Sequence, residues 1–158
     1  MKALTIILLT FCELFSEITT YQAKFIQKIK NPSGTTILYD GTVYIKQPNK
    51  MLWRYKTPIK KDVYMDDLNI TINEPELEQV IYTTLTSEIN LITFLNNPDL
   101  IDDKYSLKFE NNRLLSIIYN DDMENNITIL FEDIELNKKI PDQLFQFIAP
   151  LDYDIIEQ

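Results

Sequence analysis

The feature that most constrains this chain is a side-switching pattern that begins at Thr20 and hardly pauses before Leu85. Tyr21, Ala23, Phe25, Gln27 and Ile29 fall on one side of an extended backbone, and Gln22, Lys24, Ile26, Lys28 and Lys30 on the other. Successive side chains of a strand point to opposite faces, so this alternation describes a strand with one buried face and one wet face. Asn31-Pro32-Ser33-Gly34 is a turn, and Thr35 to Gln47 forms a second long strand bent at Asp40-Gly41. There Val43, Ile45 and Gln47 point one way and Tyr44 and Lys46 the other; in the next strand Trp53 and Tyr55 share a face that Arg54 and Lys56 oppose. Pro48 and Pro58 bracket that strand, because proline cannot donate to a sheet ladder.

The pattern continues in shorter pieces. Asp62 to Met65 runs to a turn at Asp66-Asp67, Leu68, Ile70 and Ile72 face one way up to Asn73-Glu74-Pro75, and Glu78 to Leu85 follows. Consecutive short strands at even spacing predict an antiparallel meander that curls into a barrel or sandwich. Then the period changes. Thr86-Ser87-Glu88 is a helix cap, followed by Ile89, Ile92 and Leu95 at helical spacing, with Asn96-Asn97-Pro98 as the stop. One short, very apolar helix in a strand-rich chain either plugs the open end of a barrel or forms a movable lid over an apolar cavity. Tyr105 to Phe109, Leu114 to Tyr119 and Ile127 to Phe131 return to hairpins, and a final short strand is expected before Ile156.

Composition excludes several functions. Seventeen Phe and Tyr residues against two glycines favour pleated surfaces. The net charge of −9 argues against phosphate-backbone binding, so nucleic acid is not an expected partner. There is no histidine and the one cysteine is Cys12, which removes imidazole catalysis, triads and most zinc sites. The carboxylate pairs Asp66-Asp67, Asp102-Asp103 and Asp121-Asp122 sit where turns are expected and read as solvated turn residues. No enzyme, cofactor or metal is expected. Asn69-Ile70-Thr71 and Asn126-Ile127-Thr128 match the minimal glycosylation pattern, which so many asparagines produce by chance.

Met1-Lys2 followed by the apolar run Ala3 to Phe11 resembles a secretory signal peptide, too short to span a membrane. The expected organisation is a leader over 1–16 and one domain over 17–158. A mature chain without cysteine relies on its core alone.

The spacing Gly41-x-x-x-x-Lys46-x-Pro48-Asn49-x-x-x-Trp53-x-Tyr55-x-x-Pro58 resembles that of the periplasmic outer-membrane lipoprotein carrier proteins. Ala23-x-Phe25-x-Gln27 is similar to that family's first strand, Pro75-x-Leu77-Glu78-Gln79-Val80 to its proline turn and next strand, and Phe145-x-Phe147-x-x-Pro150 to its closing strand. The resemblance implies an open, incomplete antiparallel β-barrel of about eleven strands around an apolar cavity, covered by a short helical lid. It also implies a periplasmic, monomeric carrier. Such a carrier takes acylated lipoproteins from an inner-membrane ABC transporter to an outer-membrane acceptor. Each acyl methylene left in water costs about 0.8 kcal/mol, so the crossing requires an apolar container. The cavity set implied here is Val43, Ile45, Trp53, Tyr55, Ile70, Ile72 and Val80, with Ile89, Ile92 and Leu95 on the lid. The loop Pro48, Asn49, Lys50, Met51 and Leu52 is the expected partner-docking tip, with the alternative that Met51 folds into the cavity.

Two departures stand out. Family members reading Lys-Arg-Pro hold the lid through that arginine, and here the position is Gln47; a neutral bond is worth about 0.5–1.5 kcal/mol, less than a charge-assisted one. If the leader ends at Ser16, little chain remains for the N-terminal helix that family members often carry. The alternative function is an envelope lipid- or lipoprotein-sensing module of the same half-barrel fold without carrier activity.

Overall fold

A computed structural model describes residues 17–84, 91–97 and 102–158. The leader expected over 1–16, the Thr86-Ser87-Glu88 cap and Ile89 lie outside these residues. Ten strands form one sheet: β1 (Thr20–Lys30), β2 (Thr36–Lys46), β3 (Lys50–Thr57), β4 (Lys61–Asp66), β5 (Asn69–Glu74), β6 (Gln79–Thr84), β7 (Ser106–Glu110), β8 (Arg113–Asn120), β9 (Asn126–Leu136) and β10 (Asp154–Glu157). One helix, α1 (Leu91–Asn96), interrupts the series between β6 and β7. Among the described residues, no helix is long and apolar enough to cross a membrane.

The sheet order is β10-β6-β5-β4-β3-β2-β1-β9-β8-β7. Two meanders, β1 to β6 and β7 to β9, are therefore joined by the antiparallel pairing of β1 with β9. Turn chemistry sets the hairpins. Asn111 and Asn112 both take positive φ (49° and 59°) between the paired Glu110 and Arg113, the two-residue arrangement that twist-matched hairpins need. At the β8–β9 turn the Asp121 carboxylate accepts from the backbone N–H of Met123 and of Asn125, each at 2.9 Å. The Asn125 amide beside it holds Asp121 below the ordinary carboxylate range, and this half-buried acid belongs to the turn.

The sheet curls. Ile70 of β5 and Tyr119 of β8 line the same cavity although six strand spacings separate them in the sheet order. Laid flat, six spacings span roughly 29 Å at 4.8 Å each, so the two halves bend toward one another. The bend shows where the long strands lose register, between Gln22 and Lys24 on β1 against β9 and between Asp40 and Gly41 on β2 against β3. The concave face carries the main core, including Tyr21, Phe25, Val43, Ile45, Leu91 and Ile117.

Two features depart from expectation. The sheet has ten strands, and β10 pairs with β6 in parallel, so the barrel is not wholly antiparallel. The stretch expected as a closing strand through Phe145 and Phe147 is not one: Asp142–Phe145 is a 3-10 helix and 146–150 has no sheet partner. Alternation of Phe145 and Phe147 suggested a strand, but the segment crosses the convex face before β10 begins. Phe147 packs on Tyr64 there with ring centroids 5.3 Å apart. Lys46 Nζ donates to the Ile140 carbonyl and to Asp142 Oδ1, both at 3.0 Å. Asp142 also meets Lys50 Nζ at 3.5 Å, and the bond from Lys46 holds its carboxyl below the ordinary range.

Candidate functional site

The concave face leaves a cavity of about 160 Å³. Register builds its wall. Met51 pairs with Met65, Trp53 with Val63 and Met65 with Ile70, which puts all of them on one face of β3, β4 and β5. Ile129 and Gln27 come from the β9–β1 seam, Ile117 and Tyr119 from β8, and Leu91 from α1 closes the space. Among the described residues, no lining side chain carries a charge.

The aromatic side of the wall is held from behind. Phe25 stands edge-on to Trp53 and to Tyr55, with centroids at 4.8 and 5.0 Å. The Trp53 indole N–H donates to Met51 Sδ at 2.9 Å, so the one polar atom of this ring is satisfied within the wall. Tyr21, 1 % exposed, donates its hydroxyl to the Leu114 carbonyl at 2.9 Å, and burial pushes that phenol well above its ordinary pKa.

The helix over the cavity is tied to the chain's lead-in. Ile18 N–H donates to Asn96 Oδ1 at 3.2 Å, and Asn96 Nδ2 donates back to the Ile18 carbonyl at 3.3 Å. Leu91, Phe94 and Leu95 of α1 are buried in the main core.

Of the residues expected at the cavity, Trp53, Tyr55 and Ile70 line it. Val43 and Ile45 are buried in the core beside it, and Ile72 pairs with Val63 on the same face. Leu95 is buried beneath α1; Ile92 belongs to α1, but its side chain lies outside the described residues, as does Ile89. Val80 is a correction. It pairs with Asn73 while Ile81 pairs with Ile72, so the β5–β6 hairpin places Ile81 on the concave face and Val80 on the convex one.

Gln47 stands just past β2, and its side-chain amide donates to Glu17 Oε1 at 3.3 Å rather than to α1. The docking tip is also corrected. β3 begins at Lys50, so Met51 and Leu52 are buried strand residues on opposite faces. The Asn49 carbonyl accepts from Asp67 N–H at 3.1 Å, Lys50 reaches Asp142, and only Pro48 is exposed.

Sequence reading missed Val63, Met65, Leu91, Ile117, Tyr119 and Ile129. Pairing each hairpin partner of Trp53 and Met51 finds the first two. The residues of β8 and β9 are found only through the long-range seam with β1.

The arrangement offers a mainly apolar wall, to which Gln27, Tyr55 and Tyr119 bring polar atoms. The acidic pairs Asp66-Asp67 and Asp102-Asp103 are exposed, and among the described residues no cluster of three or more acids could hold a metal. A dry apolar hollow of about 150 Å³ holds a benzene-sized group, so the closed cavity accepts a short hydrocarbon segment.

Comparison with known proteins adds the following. Residues 16–113 match the family described as outer membrane lipoprotein carrier protein LolA. An outer-membrane lipoprotein carrier protein of Helicobacter pylori is 33% identical, over 92% of this chain and 84% of its own length. One from Campylobacter jejuni is 33% identical over 87% of this chain and 86% of its own length. In three dimensions, a LolA superfamily protein from Nitrosomonas europaea aligns with a TM-score of 0.53 over 81% of this chain and 90% of that one, at 13% identity. That last likeness concerns the fold alone.

Proposed function

This chain belongs to the family of outer membrane lipoprotein carrier proteins, and we propose that it does what the family name describes. In this reading it accepts lipoproteins released by an inner-membrane ABC transporter, shields their acyl chains while they cross the periplasm, and delivers them to an outer-membrane acceptor. The leader over 1–16 serves its export. The observation that carries the reading is the uncharged, aromatic-walled cavity under a helix held by two hydrogen bonds from one side chain.

Each part of that arrangement has a physical use. Apolar walls without fixed polar partners bind hydrocarbon by area, not by headgroup identity, which suits a carrier of varied cargo. Non-covalent binding allows release. The closed cavity is too small for whole acyl chains, so cargo enters by displacing Leu91 and its helix, and the core contacts of α1 re-form once cargo leaves. That exchange keeps apolar surface covered in both states.

The test is incubation of the purified protein with inner-membrane vesicles that hold the transporter, ATP and a labelled lipoprotein. Transfer of label into a soluble one-to-one complex is expected. Label that stays with the vesicles while the transporter hydrolyses ATP would overturn the carrier reading. Co-purified lipid without lipoprotein release would favour the sensing module instead.

A further inference from the structure

The molecule is acidic overall, yet one hairpin tip is basic. Residues 54–62, Arg-Tyr-Lys-Thr-Pro-Ile-Lys-Lys-Asp, hold four cations against one carboxylate, in a chain of net charge −9. The carboxylate is Asp62, which Arg54 holds through Nε at 3.1 Å. That leaves Lys56, Lys60 and Lys61, none of which is within ion-pair distance of a carboxylate among the described residues. Lys61 instead lies over the Tyr55 ring, 4.8 Å from its centroid. Two acids stand beside the tip: Asp40, which accepts from the Thr57 hydroxyl, and Glu74, which accepts from the Gln79 amide. Glu76 and Glu78 are exposed on the neighbouring β5–β6 turn.

Between the lysines, Ile59 projects 49 % exposed at the β3–β4 turn. An apolar side chain flanked by cations at the end of a hairpin combines the two terms that hold proteins on anionic bilayers, partial insertion and attraction to headgroup phosphates. The tip also opens onto a cleft of about 250 Å³ lined by Arg54, Tyr55, Lys56, Lys60, Lys61, Asp62 and Pro75. Tyr55 lines the apolar cavity as well.

We infer that the β3–β4 tip, through Lys56, Ile59, Lys60 and Lys61, docks this protein on the surface of membranes containing anionic phospholipid. Acids more than about 8 Å from the tip are largely screened at physiological ionic strength, and the two beside it, Asp40 and Glu74, bond to Thr57 and Gln79 and form no ion pair with these lysines. Docking there sets the Tyr55 side of the cavity against the bilayer. The inference stands apart from the carrier reading, since binding to a vesicle needs no lipoprotein.

The experiment is co-flotation of the purified protein with phosphatidylcholine vesicles, with and without phosphatidylglycerol. Binding is expected only with phosphatidylglycerol, and raising the salt should release it. The double variant Lys56→Glu/Lys60→Glu should weaken partition about thirtyfold or more, at about fivefold per lysine, and Ile59→Ser about tenfold. Thermal melts of both variants show that the fold is retained; the salt response of the unaltered protein tests the inference without any variant. Equal binding to neutral vesicles, no binding to anionic ones, or full binding by the folded double variant would each overturn it.

Discussion

Gly41 lies so close to Arg54 that a β-carbon added to it would sit 2.1 Å from the Arg54 carbonyl oxygen. The same carbon would meet Phe25 Cε1 at 2.8 Å, on the ring that backs Trp53 and Tyr55. The small residue thus lets β2 bend against β3 at the register shift and leaves room for the aromatic wall. Because the first obstacle is backbone, rotamer changes cannot relieve it. Gly41→Ala is expected to destabilise the fold by about 3 kcal/mol, the upper part of the range for overpacking, measured by urea unfolding.

The helix over the cavity depends on Asn96. Asn96→Ala removes both bonds to the Ile18 backbone and should cost about 1–2 kcal/mol. Amide exchange across 91–96 should accelerate in that variant, and acyl ligands should enter faster. Gln47→Arg is the contrast. It replaces a neutral donor to the Glu17 carboxylate by a charged one, and among the described residues Gln47 has no bond to α1, so exchange in 91–96 should be unchanged. Faster or slower exchange there in Gln47→Arg would place the latch at Gln47 after all.

Trp53 is the chain's one tryptophan and lines the cavity, so its emission reports occupancy directly. Titration with a long-chain fatty acid should shift that emission to the blue. Val63→Asp sets a carboxylate in the same uncharged wall and should lower affinity at least tenfold, about 1.4 kcal/mol. An unchanged titration curve in Val63→Asp would mean that the ligand binds elsewhere.

Alkaline stability isolates Tyr21. Its folded-state pKa is raised by burial, so the fold keeps a proton that the unfolded chain releases near the ordinary phenol value of 10. Stability contributed this way is complete below pH 10 and declines as pH rises above it. The unaltered protein should therefore lose stability more steeply between pH 10 and 11 than Tyr21→Phe does. Below pH 9 the variant should be less stable by about 1 kcal/mol, for the bond to Leu114. Parallel melting curves across the range would disprove the assignment to Tyr21.

Most strands were legible because alternation and turn residues are local. The pattern of Tyr21 to Lys30 and of Val43 to Tyr55 fixes which side chains share a face, and the structure keeps that division along β1, β2 and β3. Val80 shows where such reading stops. Alternation within β6 is visible, but the face it takes depends on whether Val80 or Ile81 lies opposite Ile72, and one residue of register moves the whole strand over. For Met51 the sequence leaves two places, the docking tip and the cavity, and the structure takes the second: Pro48 and Asn49 make a shorter turn than the loop expected, so β3 starts earlier and Met51 lines the cavity. The parallel β10 and the cavity wall from Ile117, Tyr119 and Ile129 rest on contacts between distant segments, which leave no periodic trace.

The seam between β1 and β9 also sets a clock. A chain is made from its N-terminus, so β1 through β6 exist well before Asn126, the first residue of β9. The same order holds for a chain threaded N-terminus first across a membrane, so β1 spends an interval without the strand that pairs with it on that side. Throughout it, one side of β1 has unpaired backbone N–H and C=O groups and half of the cavity wall is missing. The two meanders cannot close on one another until β9 has arrived to join them.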